Sequence, residues 1–190
     1  MRQLFSRLGR EIPPNLLDWE GRVTSWCDAY IVQFPRGSIS EVSLDCAVYL
    51  FDDHFERVTL AYALSVEQLM VRDANRMRGF PDAGVSADRS LRENIFPVDR
   101  GHFLGHASGG ILDINVFPQR RDLNRGWSSD GKRFRKMERF VAEHPGTFFY
   151  HRPCYDDETW IPRSLDYGVL IEDTKWWVAT FRNKSPEDYS

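Results

Sequence analysis

The chain has 190 residues, 42% of them apolar and 14% aromatic, with a formal net charge of −3. That length and apolar content suit one domain with a sizeable core. No apolar run approaches the ~18–20 residues of a membrane helix, so no membrane span is expected, and the small net negative charge argues against indiscriminate affinity for polyanions.

The N-terminus, MRQLFSRLGREIPP, is charged and lacks the apolar stretch of a secretory signal. The expected location is the cytoplasm as written, with secretion or delivery as part of a larger effector the alternative. Residues 3–9 suit a short helix ended by Gly9 and Pro13-Pro14. Residues 22–34 are rich in apolar and β-branched side chains and read as a strand closed by Pro35-Arg36-Gly37. Residues 42–51 and 55–64 read as two strands around the turn Asp52-Asp53-His54. Residues 65–78 suit a helix with Ser65 as N-cap, and 79–94 a loop rich in Gly, Pro, Asp and Ser. A strand-like piece from Ile95 leads to His102, 107–111 form a turn, and 112–117 are extended. Pro118 is expected to break that piece at the first position of a helical turn, with a further interruption at Gly131. From Lys132 onward, Phe134, Met137, Phe140 and Val141 fall on one stripe of an amphipathic helix that Pro145-Gly146 ends. Runs 146–151, 167–171 and 174–181 suggest a closing antiparallel meander, with Tyr167, Trp176 and Trp177 as core and sheet surface. The expected fold is α+β, a single domain over 1–190, with an N-terminal part (1–94) of unclear role, a core at 95–145 and C-terminal strands at 146–190.

Cys27, Cys46 and Cys154 are widely spaced and odd in number, which suits ordinary thiols rather than a disulfide framework or metal clip. Charge is distributed unevenly. Residues 118–139 hold eight basic side chains (Arg120, Arg121, Arg125, Lys132, Arg133, Arg135, Lys136, Arg139) against three acidic ones, leaving the remainder at −8. Such a patch suits docking to a polyanion at one place, or a solvated helix face.

The chemistry concentrates between 97 and 138. His102 follows Asp99-Arg100-Gly101, and a side chain with an unperturbed pKa near 6.5 is a candidate general base; the bare Gly101 would let a bulky substrate approach. Asn124 offers a neutral oxygen to a hard cation such as magnesium, which keeps several waters and needs few protein ligands. His106 lies four residues beyond His102, but Gly101, Gly105 and Gly109-Gly110 oppose the helix that a zinc-binding pair would need, so it reads as structural or substrate-side.

Asp99-Arg100-Gly101-His102, then Asn115 with Pro118-Gln119, then Leu123-Asn124 with Gly126-Trp127, resembles the DNA/RNA non-specific endonuclease family, a group of ββα-metal (His-Me finger) nucleases. The likeness covers about 42 residues, and the tail through Tyr150, Tyr155 and Tyr167-Gly168 is similar to strands of toxin-type members. The resemblance implies an antiparallel sheet carrying a ββα-metal motif. It implies a Mg²⁺-dependent cut of DNA or RNA without sequence preference, Mn²⁺ being a possible substitute. His102 would activate water and Asn124 would be the direct metal ligand. Arg100 would hold phosphate at the catalytic centre, and Asn115 would support the site beside the substrate, with Asp99 and Gly101 structural. Arg76, Arg120, Arg121 and Arg125 would contact substrate phosphates, with Arg78 a further candidate. Glu138 is the candidate for the family's helix glutamate, with Glu143 the second choice. On one unbroken helix Asn124 and Glu138 would stand roughly 21 Å apart, so they could serve one ion only if the chain folds back near Gly131. The competing readings are a non-catalytic nucleic-acid-binding domain and the toxin tip of a larger effector met by an immunity protein; no membrane partner is expected, and oligomeric state is open.

Overall fold

Alternation of side chains along extended segments organises this protein. The computed structural model describes residues 2–7, 9–44, 46–67, 97–110 and 113–184. The candidate arginines Arg76 and Arg78, the helix expected beyond Glu67 and the loop at 79–94 lie outside the described residues.

The main sheet has six antiparallel strands in the order β1 (Ile39–Leu44), β2 (Ala47–Asp52), β3 (Arg57–Leu64), β6 (Phe148–Cys154), β7 (Ser164–Ile171) and β8 (Lys175–Arg182). The chain leaves the sheet after β3 and returns beside it as β6, with Leu64 opposite Phe148 and Ala61 opposite His151. Between the two, β4 (Val98–His102) and β5 (Val116–Arg120) form a separate antiparallel pair. A short helix α3 (Arg121–Asn124) and a longer one, α4 (Ser129–Glu143), follow.

Because neighbouring side chains point to opposite faces, each strand feeds two cores. On one face Phe149, Tyr167, Val169 and Phe181 meet Phe134, Met137 and Val141 of α4, with Phe103, Phe117 and Leu123 from the β4–β5–α3 unit. Phe134, Met137 and Val141 are wholly buried, which contributes roughly 1.5–3 kcal/mol per side chain. On the other face Leu60, Tyr62, Phe148 and Tyr150 are covered by Leu4 and Phe5 of α1 (Arg2–Arg7) and by Trp19 and Trp26 of α2 (Trp19–Gln33). The N-terminal part therefore supplies half of the sheet and one of its covering layers. Trp176 packs into this second core and Trp177 borders the first. Among the described residues no helix is long and apolar enough to cross a membrane.

Three local expectations are corrected. Residues 22–34 are mostly helix, not strand: Trp19, Val23, Trp26 and Cys27 recur at helical spacing and pack on the sheet, while Val32 is 82% exposed. Periodicity outweighed the β-branched composition there. The stretch 42–51 is divided between β1 and β2, which pair through Leu44 opposite Ala47. Pro118 does not open a helix; it lies inside β5 opposite Arg100. A two-stranded pair leaves β5 an open side, where a residue without an N–H costs no ladder bond.

Candidate active site

β4 ends in the candidate base. Antiparallel pairing sets His102 opposite Val116, Arg100 opposite Pro118 and Val98 opposite Arg120. Directly opposed residues share a face, so His102, Arg100 and Arg120 belong to one face of the hairpin and Asp99 and Gly101 to the other. His102 is half-buried, with its Nε2 shielded from solvent.

The role expected of Gly101 changes. A Cβ there would lie 2.4 Å from Cβ of Gln119 and 2.6 Å from its Oε1. Glycine is required because the Gln119 side chain, 1% exposed, crosses over it, not to admit substrate.

Asn115 is fully buried and binds the chain just beyond His102. Its Oδ1 accepts from the Leu104 N–H and its Nδ2 donates to the Leu104 carbonyl, both at 2.8 Å. Its own carbonyl accepts from the Phe103 N–H at 3.0 Å. These bonds make Asn115 a support of the loop after the histidine; its amide is turned to the backbone of Leu104 rather than to a substrate phosphate. Asn124 contrasts with it. It is half-buried at the last position of α3, and among the described residues no hydrogen bond engages its amide.

Asp99 anchors the arginines of α3. Its carboxylate accepts from Arg121 Nε at 2.9 Å and from Arg125 Nε at 2.5 Å. Burial pushes the Asp99 carboxyl up, but the hydrogen bonds from Arg125 and Arg121 outweigh it and hold the group below the ordinary carboxylate range. Arg120 likewise gives Nε to Asp122 at 2.5 Å. Three of the arginines expected to bind substrate are thus partly engaged in fixing α3 to the hairpin. The basic outer face of α4, with Lys132, Arg133, Arg135, Lys136 and Arg139, is exposed.

The fold-back that would bring Glu138 towards Asn124 exists, one turn earlier than Gly131. The chain reverses through Gly126, at φ +72°, and Trp127. α4 then starts at Ser129, with the Ser128 hydroxyl capping the Gly131 N–H at 3.0 Å. Gly131 sits within α4, where a Cβ would come within 2.4 Å of the Asp122 carbonyl. Its bare Cα lets α3 and α4 touch.

Glu138, 21% exposed in its side chain, pairs with Arg135 at 3.0 Å. Its Oε1 lies 3.8 Å from where a Cβ on Gly105 would stand, beside the loop that follows His102. Burial raises its pKa, and Arg135 opposes this only in part. Glu143 lies near the far end of α4. His106 is half-exposed in a 3-10 turn, His106–Ser108. Among the described residues no group of three or more His, Cys, Asp or Glu forms a metal cage.

Reading the sequence for motifs missed two residues of this region. His151 on β6 is 1% exposed, its ring 3.9 Å from that of Tyr167, and neither nitrogen has a hydrogen-bond partner by geometry among the described residues. Its position two residues from Phe149 in an alternating strand was the available sign that it points inward. Asn183, wholly buried, clamps the hairpin to the main sheet: it accepts from the Arg120 N–H at 2.9 Å and donates to the Pro118 carbonyl at 3.0 Å.

The architecture is that of an α+β protein built on a mainly antiparallel sheet. Among solved structures the chain is similar to one titled extracellular endonuclease, at 16% identity and a TM-score of 0.42 over 79% of this chain and 80% of that one. It is also similar to one titled extracellular nuclease, at 14% identity and a TM-score of 0.41 over 79% and 86%. No family model matches the sequence, and no curated protein matches it.

Proposed function

We propose that this chain is a metal-dependent endonuclease that hydrolyses phosphodiester bonds of DNA or RNA, with His102 as general base and the β4–β5–α3 unit as a ββα-metal site. The carrying observation is the contrast between the two asparagines. Asn115 is buried and committed to the Leu104 backbone, whereas the Asn124 amide makes no hydrogen bond among the described residues and lies on the helix packed beside the histidine's hairpin.

The donor set suits a hard divalent ion. An amide oxygen is a neutral hard ligand, the described residues offer no acidic cage, and magnesium binds with few protein oxygens when waters and substrate phosphate complete its shell. Asn124 would hold it, and Glu138 on the adjoining helix is the carboxylate that would serve a metal-bound water. When bound, the ion supplies Lewis-acid charge to the phosphoryl group and the departing oxygen. The chain's own residues supply the rest. The His102 imidazole takes the proton as a water oxygen forms its bond to phosphorus. The bond from phosphorus to the 3′ oxygen breaks, and that oxygen is protonated from solvent. Arg100, on the same face of β4, steadies the phosphate. Backbone contacts of this kind carry no base information, which accords with cutting without sequence preference.

The test is cleavage of plasmid DNA and of RNA by wild type, His102→Ala and Asn124→Ala with Mg²⁺ or chelator. Wild-type cutting should vanish in chelator and in His102→Ala, and Asn124→Ala should need far more metal. Equal cleavage by His102→Ala, or retardation on a gel without cutting by wild type, overturns the proposal.

A further inference from the structure

A second basic site lies where the hairpin meets the end of the main sheet. A cleft of about 780 Å³ is lined by Arg120, Arg163, Ser164 and Arg182, with Asp130 and Asp156 on its walls. Its cationic side chains come from three separated parts of the chain. Arg120 ends β5, Arg163 precedes β7, and Arg182 ends β8, where the register sets it opposite Ser164. Asn183 holds these parts together. Its side chain bonds the Arg120 N–H, the Pro118 carbonyl and the Pro162 carbonyl, and its own N–H donates to the Arg163 carbonyl. The cleft is therefore fixed in shape before anything binds.

Its lining carries three arginines against two aspartates. Lys184 bridges Asp156 at 2.8 Å and Asp157 at 2.5 Å, and Arg120 engages Asp122 through Nε. Arg163 and Arg182 are exposed. Arginine forks with hydroxyl neighbours suit phosphate oxygens.

We infer that this cleft is a distal subsite for the backbone phosphates of the same nucleic-acid strand that is cut at His102. The inference rests on the proposed nuclease reading. Its geometry follows from the hairpin: Arg120 shares a face with Arg100 and His102 but stands at the opposite end. Four residues of strand separate the two ends, about 13 Å, or about four nucleotide steps along a duplex. Short substrates therefore reach His102 without touching Arg163 or Arg182, and long ones touch both.

The test compares wild type with Arg163→Ala/Arg182→Ala on a 30-base-pair duplex and on a tetranucleotide. The double variant should lose about tenfold or more in kcat/KM on the duplex and stay within twofold on the tetranucleotide. Binding of the duplex, read by fluorescence anisotropy in a His102→Ala background with chelator, should lose about 2 from its slope against log salt, near 0.9 per phosphate contact. Charge reversal, Arg163→Glu/Arg182→Glu, should deepen both effects. An unchanged salt slope, or equal losses on both substrates, overturns the subsite. If the slope falls as stated but wild type cuts nothing, the cleft stands as a phosphate site and the nuclease reading fails instead.

Discussion

His151 makes acid lability a specific prediction. The ring lies 3.9 Å from that of Tyr167 and 5.7 Å from that of Phe134, 1% exposed. Burial pushes its pKa down to about 3, outweighing the opposing influence of the nearby Phe103 backbone. An unfolded chain returns it to about 6.5. Between those values the unfolded state holds a proton that the folded state refuses, so stability rises with pH across the window and falls as acid is added. The slope is about 1.4 kcal/mol per pH unit, and the whole window amounts to about 4–5 kcal/mol. That is a large part of a typical net stability of about 5–15 kcal/mol. Urea unfolding of wild type and His151→Leu at pH 7.5, 6, 5 and 4 measures it. The cost of replacing the ring shifts the variant's curve by a constant, and the other titrating groups are common to both proteins. Wild type should lose stability faster than the variant by about 1.4 kcal/mol per unit between pH 6 and 4. Parallel curves would mean that the folded protein accommodates the imidazolium, and the argument from burial would be wrong.

Asn115→Ala should leave the Leu104 N–H and carbonyl buried without partners. At roughly 1–3 kcal/mol for each such group, the unfolding midpoint should fall sharply, and cleavage should fall with it as the loop after His102 loosens. Glu138→Gln removes a carboxylate whose burial raises its pKa. The raised value means that ionisation costs stability above the folded pKa and nothing below the unfolded one. The variant should therefore be the more stable at pH 7, with the advantage vanishing below about pH 4 in thermal unfolding. The exposed partner Arg135 contributes little to the balance.

The sequence showed most where one local rule acted alone. Phe134, Met137 and Val141 lie at helical spacing and all three are buried against the sheet; the C-terminal meander likewise followed from alternation. Expectation failed where two local signals conflicted. In α2 the β-branched side chains competed with a stripe of tryptophans, and at Pro118 a helix-start residue proved tolerable on an unpaired strand side. Long-range arrangement was not legible. Nothing local sets β3 beside β6, and so nothing local joined Arg163 and Arg182 to Arg120 or put His151 beneath the loop of Phe103. Of the candidate site, the bonds from Arg121 and Arg125 to Asp99 were not legible, and both arginines were read only as substrate contacts.

The return of the chain to the neighbouring strand sets when the proposed site can be completed. Residues 65–147 form one excursion whose two ends are zipped together by β3 and β6. Closing a loop of that size costs about 4 kcal/mol in chain entropy. A ribosome that has released the polypeptide only as far as Glu143 has already delivered His102, Asn124 and Glu138, yet none of the strands β6–β8 that α4 rests on. The groups proposed to cut are thus synthesised before the scaffold that aligns them, and under that proposal a half-made chain is a disarmed one.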